Sequence, residues 1–211
     1  MDKTYWEKFY AQQNAEYEPS LFAQFIATKI KATSRIIELG CGNGRDSVYF
    51  ASKNFIIKAV DQCEGQIEFM KAKYSDIKNI DFLAADFTAL SDENKFDVIY
   101  SRFTLHSISK EQEDKVCTWA YNNLNTNGFF CIEVRGQKNE IYRKGDKVDG
   151  EEDAYIYNNH YRRFLNFDTF CNKLKTIGFA LDYAEEKKGF APFKDTDETY
   201  MRVIAVKKDN E

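Results

Sequence analysis

Short β-branched or aromatic runs alternate with helical stretches along most of this chain. Between residues 35 and 134 the runs are RIIEL, FIIKAVD, IDFLAAD, FDVIYS and FFCIEV. Strands that alternate with helices pair in parallel through right-handed crossovers. Two later runs, 179–186 and 199–208, are joined by a turn-rich segment, which indicates an antiparallel pair. The sequence therefore predicts a doubly wound, mostly parallel seven-stranded α/β sheet, with a C-terminal antiparallel hairpin and helices on both faces.

The chain shows no repeat, linker or low-complexity segment, so we predict a single domain, 1–211. Two aromatic-rich helical stretches precede the first strand, and we expect residues 1–33 to form an N-terminal helical lid. The connection after the fifth strand, 136–166, is long and polar. Such a connection is typical of a functional loop, and we predict a substrate-binding insertion there.

Charge and hydropathy exclude several classes of protein. The formal net charge is -4, without a basic face of the kind that binds duplex nucleic acid. The longest apolar runs fall far short of the roughly 18 residues that a membrane helix needs. We therefore expect a soluble cytoplasmic protein with neither a nucleic-acid nor a membrane partner. Five widely spaced cysteines without a C-x-x-C pair indicate reduced, mostly buried thiols and no metal site.

The first predicted strand runs into ELGCGNG (38–44), which places three alternate glycines at the turn between a strand and a helix. Such a turn allows close approach of the backbone to a ligand and is expected to direct free N–H groups at it. Asp61 closes the second strand, where a carboxylate can accept both hydroxyls of a ribose. Asp86 and Phe87 follow the third strand. The carboxylate of Asp86 can accept from the exocyclic amine of a base, and the ring of Phe87 can stack on that base. These features predict an adenosyl ligand at the carboxyl edge of the sheet.

ELGCGNG resembles the E/D-x-G-x-G-x-G signature of the seven-stranded, class I S-adenosylmethionine-dependent methyltransferases, and the resemblance extends over nearly the whole chain. The continuation GNGRDSVYFA, with EPSLFAQFI before the first strand, is similar to a small-molecule subgroup related to the tellurite-resistance and thiopurine methyltransferases. The resemblance implies S-adenosylmethionine as cofactor and S-adenosylhomocysteine as product. The residues expected to contact the cofactor are Glu38, Gly40, Gly42, Gly44, Asp61, Gln62, Asp86, Phe87 and Ser101.

Simpler structural explanations exist for each feature taken alone. Glycines mark turns in many proteins, and acidic residues often end strands as solvated turn residues. Their order at three successive strand ends favours cofactor binding instead. Asp46, in the first turn of the helix after the glycines, is better explained as a partner of the helix dipole than as a ligand.

Methyl transfer from a sulfonium is an in-line displacement, so positioning of the acceptor contributes most of the rate. A base within hydrogen-bond reach adds about 10²–10⁴-fold where the attacking atom carries a proton. His106 follows the fourth strand in the loop that the resemblance places at the transferred methyl, and we predict it to be the catalytic base. The alternative is a capping or packing histidine. His160, in the insertion, is the other imidazole of the chain.

The arginines are concentrated where an acceptor would bind. Six of eight lie at the carboxyl edge or in the insertion, and a guanidinium suits bidentate capture of a carboxylate or phosphate. This bias indicates an anionic acceptor, although salt bridges to nearby acids are an alternative. Neighbouring side chains point in different directions, so we expect one of Arg162 and Arg163 to face the ligand. The predicted substrate-binding residues are Tyr10, Arg102, Arg135, His160, Tyr161, Arg162 and Arg163.

The sequence therefore predicts a methyltransferase that acts on an oxygen or nitrogen of a small, anionic metabolite or sugar-derived intermediate. A macromolecular substrate is the weaker alternative, because the chain has SRFT in place of an N/D-P-P-Y/F motif after the fourth strand. A catalytically silent, adenosyl-binding regulator is a second alternative. A dinucleotide-dependent oxidoreductase is disfavoured by the glycine spacing and the antiparallel end.

Overall fold

The computed structural model describes residues 5–7, 18–91 and 95–209. Five α-helices are found within residues 18–209: α1 (Leu21–Ala27), α2 (Arg45–Ser52), α3 (Glu64–Lys73), α4 (Lys110–Asn123) and α5 (Phe167–Ile177). The strands of the main sheet are β1 (Arg35–Leu39), β2 (Ile56–Asp61), β3 (Ile80–Ala84), β4 (Phe96–Arg102), β5 (Leu124–Val134), β9 (Phe179–Lys187) and β10 (Tyr200–Lys207), and those of a smaller sheet are β6 (Asp146–Lys147), β7 (Ala154–Tyr157) and β8 (His160–Arg163). None of the described helices is long and apolar enough to cross a bilayer.

The main sheet has the strand order β3-β2-β1-β4-β5-β10-β9. Strands β1 to β5 pair in parallel, and β10 is antiparallel to both of its neighbours. The predicted doubly wound sheet and C-terminal hairpin are thus confirmed. The strand order reverses at β1 and β4, and open α/β sheets bind their ligands in the crevice at such a point.

Alternating side chains of the central strands build a hydrophobic core on each face of the sheet. Ile36 packs in one core with Phe22 of α1 and Phe50 of α2, whereas Ile37 packs in the other with Val116 of α4 and Leu174 of α5. Successive residues of a strand point to opposite faces, so both faces of β1 are apolar. The two cores fix the strand ends that carry the site.

The insertion contains regular structure that the sequence did not predict. Strands β6, β7 and β8 form a three-stranded antiparallel sheet. Asn158 and Asn159, both with positive φ, make the two-residue turn between β7 and β8, a conformation that asparagine tolerates well. Strand β8 packs against the short 3₁₀ turn Leu105–Ser107 that follows β4. The insertion is therefore a folded unit placed beside the carboxyl edge of the main sheet.

The N-terminal segment contacts this insertion. The ring of Tyr5 stacks on His160 with centroids 4.2 Å apart, and Trp6 meets the same imidazole edge-on at 5.0 Å. Helix α1 is built into the core through three fully buried residues, Phe22, Ala23 and Ile26. The lid over residues 1–33 stays a prediction, and Tyr10 lies outside the described residues.

Candidate active site

A cavity of about 590 Å³ lies at the carboxyl ends of β1, β2 and β4, which is a typical volume for a small-molecule site. The segment from β1 to α2 and the end of β2 form one side of it. The rest of the wall is formed by the segment after β4, by Arg135 after β5 and by the loop between β9 and β10. Trp6 of the N-terminal segment also lines it. Of the residues predicted to bind cofactor or substrate, those at the wall are Glu38, Gly40, Gly42, Asp61, Gln62, Arg102 and Arg135.

The glycine loop is tightly packed against its neighbours. Gly40, Gly42 and Gly44 all have left-handed φ, of 74°, 53° and 70°. A Cβ on Gly40 would lie 2.4 Å from Cγ2 of Thr104, and one on Gly44 would lie 2.3 Å from Cε of Met70. The left-handed φ disfavours a side chain at both positions, and at Gly40 the methyl group of Thr104 also occupies the space, although Gly44 does not line the cavity.

Three N–H groups of this loop are already bonded within the protein, whereas free donors were expected. Gly40 and Cys41 donate to the carbonyl of Val60 at 2.8 and 2.9 Å. Gly42 donates to Oδ2 of Asp61 at 2.9 Å. The loop is thus held rigidly against the end of β2, and it meets a ligand with its unsubstituted Cα atoms.

Asp61 and Gln62 close β2 at the cavity wall. Oδ1 of Asp61 accepts from the N–H of Cys63 at 2.9 Å, so the carboxylate spans from the glycine loop to the start of α3. Each carboxylate oxygen keeps a second lone pair for a ligand hydroxyl. Nε2 of Gln62 is buried and has no hydrogen-bond partner among the described residues. A buried donor without a partner fits a ligand with acceptor atoms, such as an adenosyl group.

Two acidic side chains, Glu38 and Asp46, lie at the wall. Asp46 accepts from the N–H and hydroxyl of Ser20 at 2.8 and 2.7 Å, and from the hydroxyl of Tyr100 at 2.9 Å. It therefore joins α1, α2 and β4, a larger role than the predicted helix-dipole contact. Glu38 accepts from the hydroxyl of Ser47. Burial raises the pKa of Glu38 well above its usual value, and the charge of Asp46 raises it further.

Besides Gly44, three of the predicted cofactor residues lie away from the cavity wall. The side chain of Asp86 is exposed, and its Oδ1 accepts from the N–H of Thr88 at 2.8 Å, which caps a 3₁₀ turn. Phe87 is 3% exposed and packs in the core. The hydroxyl of Ser101 lies 2.5 Å from that of Thr104, so Ser101 positions a residue of the wall without reaching the cavity itself.

His106 is buried beside the site, and its side chain does not line the cavity. Its Nδ1 accepts a long hydrogen bond, 3.5 Å, from the backbone N–H of Arg135. Burial lowers the pKa of His106 well below its usual value, and the charges of Arg135 and Arg162 lower it further. The imidazole is thus neutral, with its lone pair turned to the backbone, and this geometry supports a packing role over the predicted role as base. Ser107, the next residue, does line the wall, and its buried hydroxyl has no partner among the described residues.

The two predicted arginines at the wall have acidic partners. Nε of Arg102 donates to Oε1 of Glu133 at 2.8 Å, and the guanidinium lies 4.0 Å above the ring of Phe103. Nη1 of Arg135 donates to Glu198 and to Oδ1 of Asn139, the latter at 2.8 Å. The predicted arginines therefore reach the cavity, but as members of ion pairs.

The remaining predicted substrate residues lie on β8, where they alternate between two faces. Arg163 is buried, pairs with Glu113 of α4 and donates to the carbonyl of Ile108, so the prediction that it binds substrate does not fit its position. Tyr161 donates to Oε2 of Glu151 at 2.5 Å, also outside the cavity. His160 and Arg162 share the opposite face. As expected for neighbours on a strand, the two arginines point apart, and Arg162 is the one near Arg135.

The β9–β10 loop is the part of the site that the sequence analysis missed. Its residues 191–193, Thr196 and Glu198 line the cavity together with Tyr200, the first residue of β10, and Phe193 is 58% exposed. The sequence offered a turn-rich segment there but no chemical motif.

The strand order, the glycine loop after β1 and the acidic end of β2 together define a class I methyltransferase fold. Residues 36–128 match the family model described as a methyltransferase domain. Over these residues the chain carries a methyltransferase domain similar to those of the class I S-adenosylmethionine-dependent methyltransferases, which implies S-adenosylmethionine as the cofactor.

Known proteins agree with this assignment. A probable S-adenosyl-L-methionine-dependent methyltransferase, TehB of Haemophilus influenzae, is 25% identical over 107 residues, which are 50% of this chain and 37% of that protein. The match thus spans well under two thirds of that relative. A Methanosarcina mazei S-adenosylmethionine-dependent methyltransferase has a TM-score of 0.75 at 16% identity, covering 87% of this chain and 97% of its own. The Burkholderia thailandensis 1,6-didemethyltoxoflavin-N1-methyltransferase, solved with that compound and S-adenosylhomocysteine, has a TM-score of 0.68 at 18% identity, covering 89% and 77%.

Proposed function

We propose that this protein transfers a methyl group from S-adenosylmethionine to an oxygen or nitrogen of a small acceptor that carries an anionic group. One observation carries the anionic part of this proposal. Arg162, which does not itself line the cavity, lies near Arg135, and of these two arginines only Arg135 has a carboxylate partner among the described residues, that of Glu198.

Arg162 has an incomplete set of partners. Its Nη1 donates to the backbone carbonyls of Tyr157 and His160 at 3.0 and 3.5 Å. Burial lowers the pKa of Arg162, and the charge of Arg135 lowers it further. A half-buried guanidinium next to a second one is stabilised by an anion, and its planar fork fits a carboxylate or phosphate.

The bound cofactor supplies an electrophilic methyl group on a positively charged sulfonium. Residues of this chain bind it and align the acceptor, which is where most of the rate of an in-line displacement arises. Asp61 and Gln62 offer hydrogen bonds to the adenosyl part, and the acidic side chains of Glu38 and Asp46 lie at the same wall. Because the lone pair of His106 is turned to the backbone, we infer that the acceptor atom attacks in its deprotonated form.

The first experiment tests both parts of this proposal. Native mass spectrometry of the purified protein should show retained S-adenosylhomocysteine or S-adenosylmethionine. Radiolabelled S-adenosylmethionine is then offered with a panel of carboxylated, phosphorylated and neutral metabolites. A retained adenosyl ligand without transfer to any of them supports the silent regulator, transfer to macromolecules in an extract supports the macromolecular alternative, and bound NAD(P) contradicts the proposal.

The second experiment tests the anion site with an efficient acceptor. Arg162→Ala should lower kcat/KM about ten- to hundredfold, the loss of about 1.5–3 kcal/mol expected for one charge-assisted hydrogen bond. Arg162→Lys should also impair activity, because an ammonium cannot make the planar two-point contact. Arg143→Ala, in an exposed part of the insertion, is the matched control and should keep parental kinetics. Parental kinetics in Arg162→Ala, or a neutral efficient acceptor, would contradict an anionic acceptor.

A further inference from the structure

Glu198 is a carboxylate placed where an anionic acceptor is expected. It lines the cavity with Arg135 and Tyr200, and its Oε2 accepts from the Arg135 guanidinium. The hydroxyl of Tyr200 donates to the same oxygen at 2.8 Å. Burial raises the pKa of Glu198, but the charge and hydrogen bonds of Arg135 outweigh burial, so the pKa lies below its usual value. Glu198 is therefore ionised at neutral pH.

The cluster around Glu198 is held from several sides. Oδ1 of Asn139 accepts from Arg135 at 2.8 Å, and Nδ2 of Asn139 donates to the carbonyl of Thr199 at 2.7 Å. The guanidinium of Arg135 lies 5.0 Å above the ring of Tyr200. A carboxylate fixed in this way stays beside Arg135 when an acceptor binds, so the acceptor meets its charge.

We propose that Glu198 selects acceptors with a single negative charge, such as a carboxylate, over doubly charged groups such as a phosphate monoester. This inference rests on the proposed function and specifies its acceptor class. Arg135, Arg162 and Glu198 together carry one net positive charge, which one anionic charge balances. Within this group of three residues a second charge on the acceptor has no further cationic partner and is repelled by Glu198, and such repulsion discriminates strongly between partners.

The size of this effect follows a simple rule. The repulsion between Glu198 and a bound anion is proportional to the charge of the anion. Removing the carboxylate therefore raises the affinity for a monoanion by some factor, and it raises the affinity for a dianion by about the square of that factor. A gain of about tenfold for a monoanion corresponds to about hundredfold for a dianion.

Benzoate and phenyl phosphate are suitable probes because they share a ring and differ in the charged group. At pH 8 benzoate carries one charge and phenyl phosphate two, since the second phosphate pKa is about 6. Both are titrated by calorimetry, at constant ionic strength, into the S-adenosylhomocysteine complexes of the parent, Glu198→Gln and Arg162→Ala. Glu185→Gln on β9 is the control, because its exposed carboxylate pairs with Lys187 and does not line the cavity.

The parent should bind benzoate at least about tenfold more tightly than phenyl phosphate. Glu198→Gln should strengthen phenyl phosphate binding by about the square of its effect on benzoate, whereas Glu185→Gln should change neither. If Glu198→Gln raises the affinity for both probes equally, or for neither, the role proposed for Glu198 is wrong. The proposed function would be unaffected by that result. Failure of every variant to bind either probe would overturn both proposals, and binding that survives in Arg162→Ala would overturn the anion site alone.

Discussion

Replacing Asp61 by alanine should destabilise the protein even without a ligand. The carboxylate accepts from the N–H of Gly42 through Oδ2 and from the N–H of Cys63 through Oδ1, both at 2.9 Å. It is 7% exposed and connects the glycine loop with the start of α3. The same side chain lines the cavity, so one substitution affects both folding and cofactor binding.

The two hydrogen bonds contribute unequally to the expected loss of stability. Cys63 is 1% exposed, so its N–H would lose the carboxylate acceptor in a place that water does not reach, at a cost of about 1.5–3 kcal/mol. Gly42 lines the cavity, where water can replace the carboxylate, and the net cost there is about 0.5–1 kcal/mol. The free energy of unfolding should therefore fall by about 2–4 kcal/mol, a large part of the roughly 5–15 kcal/mol of a typical domain.

Urea denaturation of the ligand-free protein measures this loss. Asp81→Ala, an exposed carboxylate on the neighbouring strand β3, is the control and should unfold like the parent. Calorimetry with S-adenosylhomocysteine then measures the loss in binding, which should be about 1–3 kcal/mol for ribose hydroxyls without their acceptor. An unfolding midpoint of Asp61→Ala equal to that of Asp81→Ala would refute the structural role. Unchanged affinity would refute contact with the ribose.

Two further substitutions test buried groups beside the site. Glu113 is 1% exposed between two basic side chains, so Glu113→Gln should cost about 3–5 kcal/mol of stability in urea denaturation, whereas Glu111→Gln on the exposed face of α4 should cost almost nothing. The lowered pKa of His106 means that the unfolded chain binds a proton before the folded protein does, so stability should fall as pH drops below about 6.5. His106→Gln should reduce this fall between pH 7.5 and 5.5 while keeping turnover within about threefold of the parent, and a loss of 10²-fold or more would restore it as the base.

The sheet was predictable because its strands are buried on both faces. The run RIIEL forms a strand with the predicted bounds, Arg35–Leu39, since apolar side chains are needed on each side of a central strand. The glycine loop was predictable for a related reason, because Gly40 and Gly44 have left-handed φ, which favours glycine. Both predictions rest on local requirements that leave few alternatives.

The direction of side chains beyond the strand ends could not be predicted in the same way. His106 and Ser107 are neighbours in one 3₁₀ turn, yet Ser107 reaches the cavity wall and His106 packs beneath it. Asp86 likewise follows β3 at the right position but turns to cap its own backbone. In irregular segments a shift of one residue changes which side chain faces the ligand, and the sequence alone does not specify that shift.

The β9–β10 loop could have been placed at the site from topology alone. Strand β10 is antiparallel to β5, so its first residues lie at the edge where the parallel strands end. The register pairs Met201 with Val134, which brings Tyr200 opposite Arg135 and Glu198 within reach of its guanidinium. An antiparallel hairpin at the end of a parallel sheet thus returns its loop to the ligand edge. Once the hairpin is predicted, an acidic residue just before its second strand is a candidate for the acceptor site, although no local motif marks it.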